Sequence, residues 1–285
     1  MIRGGAPGQP SPGVRALPRR CAVLSFFLGY FATIATSAHA QGIFYTPQAP
    51  PDPWDINIGT GAAMRPTFLG SDRYRTTPIP LVLIRWRDTL SLGEDGLSLY
   101  WHHNNLRVGG GVSYDGGRLD HKTSGLFDSG DDRLRGSGDI DASVGIRAFI
   151  SYKVGTVYLD ASAIKYIGPD NKGMMINFGA SVPLPLTKRL VLRPHIRATW
   201  ADDNYMRTYF GITAMQSSQS IFPLFNAGAG LEDINAGLGI VYLVNKHWFV
   251  GADASATQYL GDAGRSPITI ANTNAIAGAV VGYHF

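Results

Sequence analysis

The chain has 285 residues, with 25 Lys and Arg against 21 Asp and Glu and a basic pI near 9.2. Four of those arginines, Arg3, Arg15, Arg19 and Arg20, precede residue 41, where no acid stands, so residues 41–285 balance to zero charge and give no reason to expect a nucleic-acid partner. The single cysteine, Cys21, excludes disulfides, CxxC redox pairs and thiolate metal sites from everything that follows it.

The first segment reads as a targeting sequence. Arg15, Arg19 and Arg20 lead into an apolar run from Cys21 to Ile34, and Ala38-His39-Ala40 then places small residues where a signal peptidase reads. The run is shorter than the roughly 20 residues a membrane-spanning helix needs. Residues 1–40 are therefore expected to be a signal peptide cut between Ala40 and Gln41. Cys21 precedes the apolar run, the wrong order for a lipoprotein cysteine. Residues 41–53, rich in Pro and Gln, read as a flexible lead-in, and 54–285 as one folded domain.

From Trp54 the pattern has period two, the spacing of a strand whose faces meet different surroundings. Trp54, Ile56, Ile58, Ala62 and Met64 alternate with Asp55, Asn57, Gly59 and Gly61. Pro78–Trp86 and Leu97–His103 are apolar strands with weaker alternation. Leu106, Val108, Val112 and Tyr114 alternate with Arg107, Gly109, Gly111, Ser113 and Asp115, and a long alternating stretch spans Asp139–Tyr152. Further strands are predicted at Thr156–Tyr166, Met174–Leu184, Leu190–Trp200, Asp233–Val244, His247–Tyr259 and Asn274–Phe285. No segment shows a helical period, and no apolar run of membrane-helix length follows residue 40.

The connections alternate between tight turns (Asn104-Asn105, Lys153–Gly155, Leu186–Arg189, Asn245-Lys246) and long polar loops (65–77, 116–138, 167–173, 201–232, 260–273). Outer-membrane barrels have short periplasmic turns and long extracellular loops. All long loops fall on one side only if another short strand lies near Thr89–Leu92, turning at Gly93–Gly96. The expected fold is all-β: an antiparallel transmembrane β-barrel of 12 strands, or 10 if that hairpin is a periplasmic excursion. The final strand, ending on Phe, resembles the terminal strand of bacterial outer-membrane barrels, with Tyr283 and Phe285 as the signal to the barrel-assembly machinery.

A soluble barrel turns its apolar face inward. Here the mixed face carries too many mid-strand charges for a narrow soluble core, and aromatics gather near strand ends as at a membrane interface. The apolar face is thus expected to meet outer-membrane lipid and lipopolysaccharide. Arg107, Asp139, Asp141, Arg147, Asp160, Arg193, Arg197, Asp233 and Asp253 are expected to form a charge network across a mostly occluded lumen, since buried charges must pair or stay hydrated. A small-solute channel is the alternative.

Catalytic signals are sparse. GxSxG, HExxH and P-loop motifs are absent from the sequence. His102-His103 sits at a tight turn with its rings on opposite faces and reads as a wet turn. His121, near Asp120 and Ser124, is the best candidate for an outer-leaflet catalytic site, but its spacing is unspecific. No enzyme activity, cofactor or metal is expected. Arg73, Tyr74 and Arg75 in the first long loop, and Tyr205 and Tyr209 in the fourth, are candidate contact residues; inward folding as a cap is the competing reading.

Gly70-Ser71-Asp72-Arg73-Tyr74-Arg75 with Pro78 and Pro80, Gly117-Arg118, Tyr209-Phe210-Gly211-Ile212, Leu260-Gly261-Asp262-Ala263 with Ser266-Pro267-Ile268, and Tyr283-His284-Phe285 occur in an order that resembles the MipA/OmpV family. Departures are Met64–Phe68, where Pro followed by Tyr is expected, and an enlarged 201–232 loop. The resemblance implies an outer-membrane barrel without catalytic residues, acting as a scaffold between a murein-degrading lytic transglycosylase and a peptidoglycan synthase, or as a surface protein tied to adhesion and antibiotic response. A periplasmic scaffold would have to use Gln41–Pro53 and the segment around Arg87–Gly96, the two stretches with much surface on that side.

Overall fold

The structure, a computed structural model, describes residues 53–87, 89–93, 95–122, 125–168 and 172–285. The expected signal peptide, the Ala40–Gln41 cleavage point and residues 41–52 of the lead-in lie outside the described residues.

Thirteen strand segments form one antiparallel sheet: β1 (Trp54–Pro66), β2 (Tyr74–Trp86), β3 (Leu90–Gly93), β4 (Gly96–His103), β5 (Leu106–Asp115), β6 (Ser143–Val154), β7 (Val157–Ile167), β8 (Met174–Ser181), β9 (Leu184–Pro185), β10 (Leu190–Ala201), β11 (Gly230–Leu243), β12 (Trp248–Tyr259) and β13 (Thr273–His284). Both β8 and β9 pair with β10, so they are one interrupted stave of a twelve-stave wall. Closure comes from β1 against β13, from Asn57 opposite His284 to Met64 opposite Ala277. Each stave is thereby bonded to two neighbours, as a β-structure in lipid requires, although β2 meets β3 only from Ile84 to Trp86, with Pro78 and Pro80 in the stretch that β3 does not reach. Twelve, not ten, is the count, because the expected short hairpin is present as β3 and β4.

The faces fall as the alternation requires. Ile58, Leu99, Val112, Ile146, Phe178, Ile196 and Val281 stand exposed on the outer face, while Asp55, Arg85, Ser98, Asn177, Arg197 and Asp253 are buried inside. Rings gather at the short-turn end: Trp54 lies 6.3 Å from Trp86, Trp248 5.2 Å from Tyr283, and Tyr283 4.8 Å from Phe285. Inward glycines make room for rings laid across the lumen. A Cβ on Gly282 would sit 2.2 Å from the Phe249 ring, its register partner on β12.

Two features of the sequence pattern resolve differently. β6 begins at Ser143, not at Asp139; the preceding residues run over the mouth, where Ile140 bridges Arg118. At the other end of the chain, β11 begins at Gly230. A register shift at Thr199/Trp200 adds an extra residue on β11, so that neighbouring Glu232 and Asp233 are both fully buried.

Candidate functional site

The long loops do not stand away from the barrel. They fold over its mouth. The β10–β11 connection forms α1 (Asp203–Phe210) and α2 (Ala214–Gln219), and the β12–β13 connection forms α3 (Gly261–Arg265). Asp202 caps α1 by accepting the Tyr205 N–H at 2.9 Å. That start directs Tyr205, Met206, Tyr209 and Phe210 downward, where they are buried with Ile164, Tyr166, Met175 and Tyr259 from the strand ends. The Tyr205 and Tyr209 rings stack at 4.6 Å, and Phe210 meets Tyr259 at 5.9 Å. A second apolar cluster joins four loops: Phe68 from the first, Leu134 from the β5–β6 loop, Ile212 and Phe222 beyond α1, and Ile268 beyond α3.

Polar contacts fix this plug to the wall. Asp115, at the top of β5, accepts the Tyr209 O–H at 2.7 Å and the Gly117 N–H at 2.7 Å, and faces the Lys172 ammonium at 3.4 Å. Burial and the neighbouring Asp115 carboxylate hold the Tyr209 phenol well above its usual range, so it remains a donor. Arg118 donates to the Tyr209 carbonyl at 2.9 Å; burial draws it down to about 10, opposed by Tyr209, Asp120 and Asp139, and it stays charged at neutral pH.

Below the plug the lumen is charged. Arg85 pairs with Asp55, which also faces His284 at 3.3 Å. Arg147 pairs with Asp95 at 3.1 Å, and His195 with Asp253 at 3.8 Å. Arg107 lies over the Tyr100 ring at 4.5 Å, and Arg197 is faced by the charges of Asp233, Glu232 and Asp160. A cavity of about 240 Å³ runs between Arg85, Arg107, Arg147, Asp160, Arg193 and Arg197.

Asp139 and Asp141, expected in this network, are in the β5–β6 loop and exposed. Alternation continues through that extended segment, but Ile140 turns into the plug and the flanking acids turn to water. Tyr205 and Tyr209, expected to offer a contact surface, are 3% and 5% exposed and belong to the plug. Arg73 reaches Asp131 at 2.8 Å, Arg75 donates to the carbonyls of Asp128 and Gly125, and the Tyr74 hydroxyl accepts the Ala275 N–H. These contacts fasten the first loop to its neighbours, while Arg73 and Tyr74 remain exposed at the surface. Among the described residues of the Arg87–Gly96 segment, Arg87 and Thr89 lie at the short-turn rim and Asp95 reaches into the lumen.

Asp120, His121 and Asp139 converge near the surface, with His121 Nδ1 3.2 Å from Asp120 and 3.9 Å from Asp139. Burial pushes the Asp120 carboxyl up, but hydrogen bonds from His121 and the Gly136 and Gly138 amides outweigh it and hold the group low. Ser124 lies outside the described residues. Sequence reasoning missed Asp95, Arg118, Lys172 and Glu232 as structural charges. Only Arg118 had a signal, as part of the family motif Gly117-Arg118.

Apolar side chains outside and charge inside leave one class for this fold: an outer-membrane β-barrel protein. Residues 58–285 match the family model of MipA, the MltA-interacting protein, and the chain belongs to that family. No curated protein sequence matches it significantly. Among solved structures, a monoaromatic hydrocarbon channel, CymD, aligns over 87% of this chain and 92% of its own, at 9% identity and TM-score 0.40. A bacterial polysaccharide outer-membrane secretin covers 81% of this chain and 98% of its own, at 10% identity and TM-score 0.40. A loop-deletion mutant of OmpT, an outer-membrane protein of Vibrio cholerae, covers 82% and 100%, at 8% identity and TM-score 0.36. Likenesses this distant carry no information about function.

Proposed function

We propose that this chain is a non-enzymatic outer-membrane scaffold that binds murein-processing enzymes from its periplasmic side. The family's name, MltA-interacting protein, supports a lytic transglycosylase as one partner; a peptidoglycan synthase is the second. The observation that carries the reading is the plug, because described residues from four connections pack an apolar core over the outer mouth. The surface left for docking is the periplasmic rim, with residues 41–53 and the β2–β3 turn. Lipid and lipopolysaccharide contact the apolar belt, and the barrel-assembly machinery inserts it, with Tyr283 and Phe285 on the last strand as its signal. Ala40–Gln41 is the proposed cleavage point.

Co-purification tests this directly. The detergent-solubilised barrel should retain a lytic transglycosylase and lose it when residues 41–53 are deleted. Retention unchanged by that deletion and by substitution of Arg87 would refute a periplasmic docking surface. The charged lumenal cavity favours a second reading, a narrow channel for small solutes. Planar-bilayer recordings separate the two: the scaffold predicts a silent barrel, and large stable openings would overturn it.

A further inference from the structure

The two ends of the barrel use their basic side chains differently. At the loop end Arg73, Arg133, Arg135, Arg207 and Arg265 each meet a carboxylate, on Asp131, Asp72, Asp132, Asp203 and Asp262 in turn. At the short-turn end Arg87, Lys153, Lys188, Arg189 and Lys246 are exposed, and none of the five side chains has an ion pair or hydrogen bond among the described residues. Their turns hold no acid among those residues, and Asp88, beside Arg87, lies outside them. Asp55, one residue into β1, is buried and already paired with Arg85. Residues 41–285 balance to zero charge, so the cationic rim is a sorting of charge toward one end.

The depth of these cations follows from their neighbours. Rings at strand ends mark the level where hydrocarbon gives way to headgroups. Arg87 comes directly after Trp86 and lies 5.1 Å from that ring. Lys246 is two residues before the exposed Trp248, and Lys188 and Arg189 come two and three residues after the exposed Leu186. At about 3.3 Å of rise per residue, these four stand within roughly 10 Å of side chains that face lipid. Lys153 is set apart, because it leans over the Tyr158 ring at 5.3 Å, on the lumenal side. The four belong to the β2–β3, β9–β10 and β11–β12 turns, which flank the β13–β1 seam. A phospholipid whose chains already lie on the apolar belt carries its phosphate to this level, whereas a soluble anion has to be brought there.

We propose that Arg87, Lys188, Arg189 and Lys246 form a binding rim for the phosphate headgroups of anionic phospholipid in the periplasmic leaflet, whose acyl chains lie against the apolar belt. The loop end, where arginines already hold carboxylates, has no such preference, so the barrel reads its two leaflets differently. This surface is independent of the scaffold reading: a lytic transglycosylase that failed to bind would leave it standing.

The fluorophores for a test are in place, since Trp54, Trp86, Trp101 and Trp248 stand at the short-turn end and Trp200 alone at the other. Acyl chains brominated near the headgroup quench tryptophan on contact. The barrel is reconstituted in phosphatidylcholine vesicles at low salt, with a rising fraction of brominated phosphatidylglycerol, and the series is repeated with brominated phosphatidylcholine. Phosphatidylglycerol should be preferred about fivefold, the strength of one Lys or Arg at an anionic membrane surface. Sodium chloride at about 0.5 M should shrink the preference, because exposed charges are screened. Arg87→Gln, Lys188→Gln, Arg189→Gln and Lys246→Gln together should bring the ratio near one, and Lys188→Gln with Arg189→Gln alone should about halve it. Arg135→Gln, at the loop end, should leave it unchanged. Equal quenching by the two lipids would overturn the proposal and leave the rim to an acidic protein or to murein carboxylates. So would a preference that ignores salt, or one that survives the rim substitutions in barrels still shifting on heat-modifiable gels.

Discussion

Asp115→Asn is the most informative single change to the plug. Lys172 is 1% exposed and its ammonium has the Asp115 carboxylate 3.4 Å away. Removing the negative charge strands a buried cation, which costs about 3–5 kcal/mol. Lys172→Met alone leaves Asp115 with the Tyr209 hydroxyl and the Gly117 amide, both at 2.7 Å, and should cost less, about 1–3 kcal/mol. The double variant strands neither charge, so its cost should fall to about 1.5–3 kcal/mol, the loss of one charge-assisted hydrogen bond. The coupling between the two positions is then several kcal/mol, far outside the few tenths expected of independent sites. Urea unfolding of the barrel in phospholipid vesicles, followed by tryptophan fluorescence, measures all three. If the double variant costs the sum of the singles, the pair is not a unit and the account of how the plug is anchored fails.

Other outcomes follow from the same geometry. Ile146→Arg places a charge on the outer face of β6, where Ile146 is 57% exposed, and should cost about 2–4 kcal/mol in a bilayer by the same unfolding assay. Gly282→Ala should cost about 1–3 kcal/mol through its clash with the Phe249 ring, and Phe249→Leu should recover most of it in the double variant. The Asp262 carboxylate is held below its ordinary 3.8 by the Gly228 N–H and by Arg265. The unfolded chain therefore takes the proton first, so this contribution is complete above pH 3.8 and fades as pH falls below it. Protection of the Gly228 amide from hydrogen exchange should weaken across that window, and Asp262→Asn should abolish the dependence.

The wall was legible in the sequence because a strand between lipid and lumen must alternate, and nothing else in the molecule overrides that period. Even the β3–β4 hairpin followed from the requirement that long loops share one end. The plug was not legible. Helices of five to eight residues are too short to show a 3.6-residue period, although Thr213 and Gln216, which form a capping box, carried a readable start signal for α2. Asp139 and Asp141 misled because an extended loop keeps the same alternation while its inward side changes from lumen to plug. Glu232 was hidden by a one-residue bulge, which no alternation pattern can report in advance.

Pro78 and Pro80 also bear on how such a barrel can be put together. A nascent sheet closes by zipping one frontier strand against another, and a frontier that lacks two of its amide hydrogens zips poorly. β2 is therefore a poor early partner for β5 and a poor template for a strand from a neighbouring molecule. The intact ladder between β1 and β13 is left as the place where the cylinder seals.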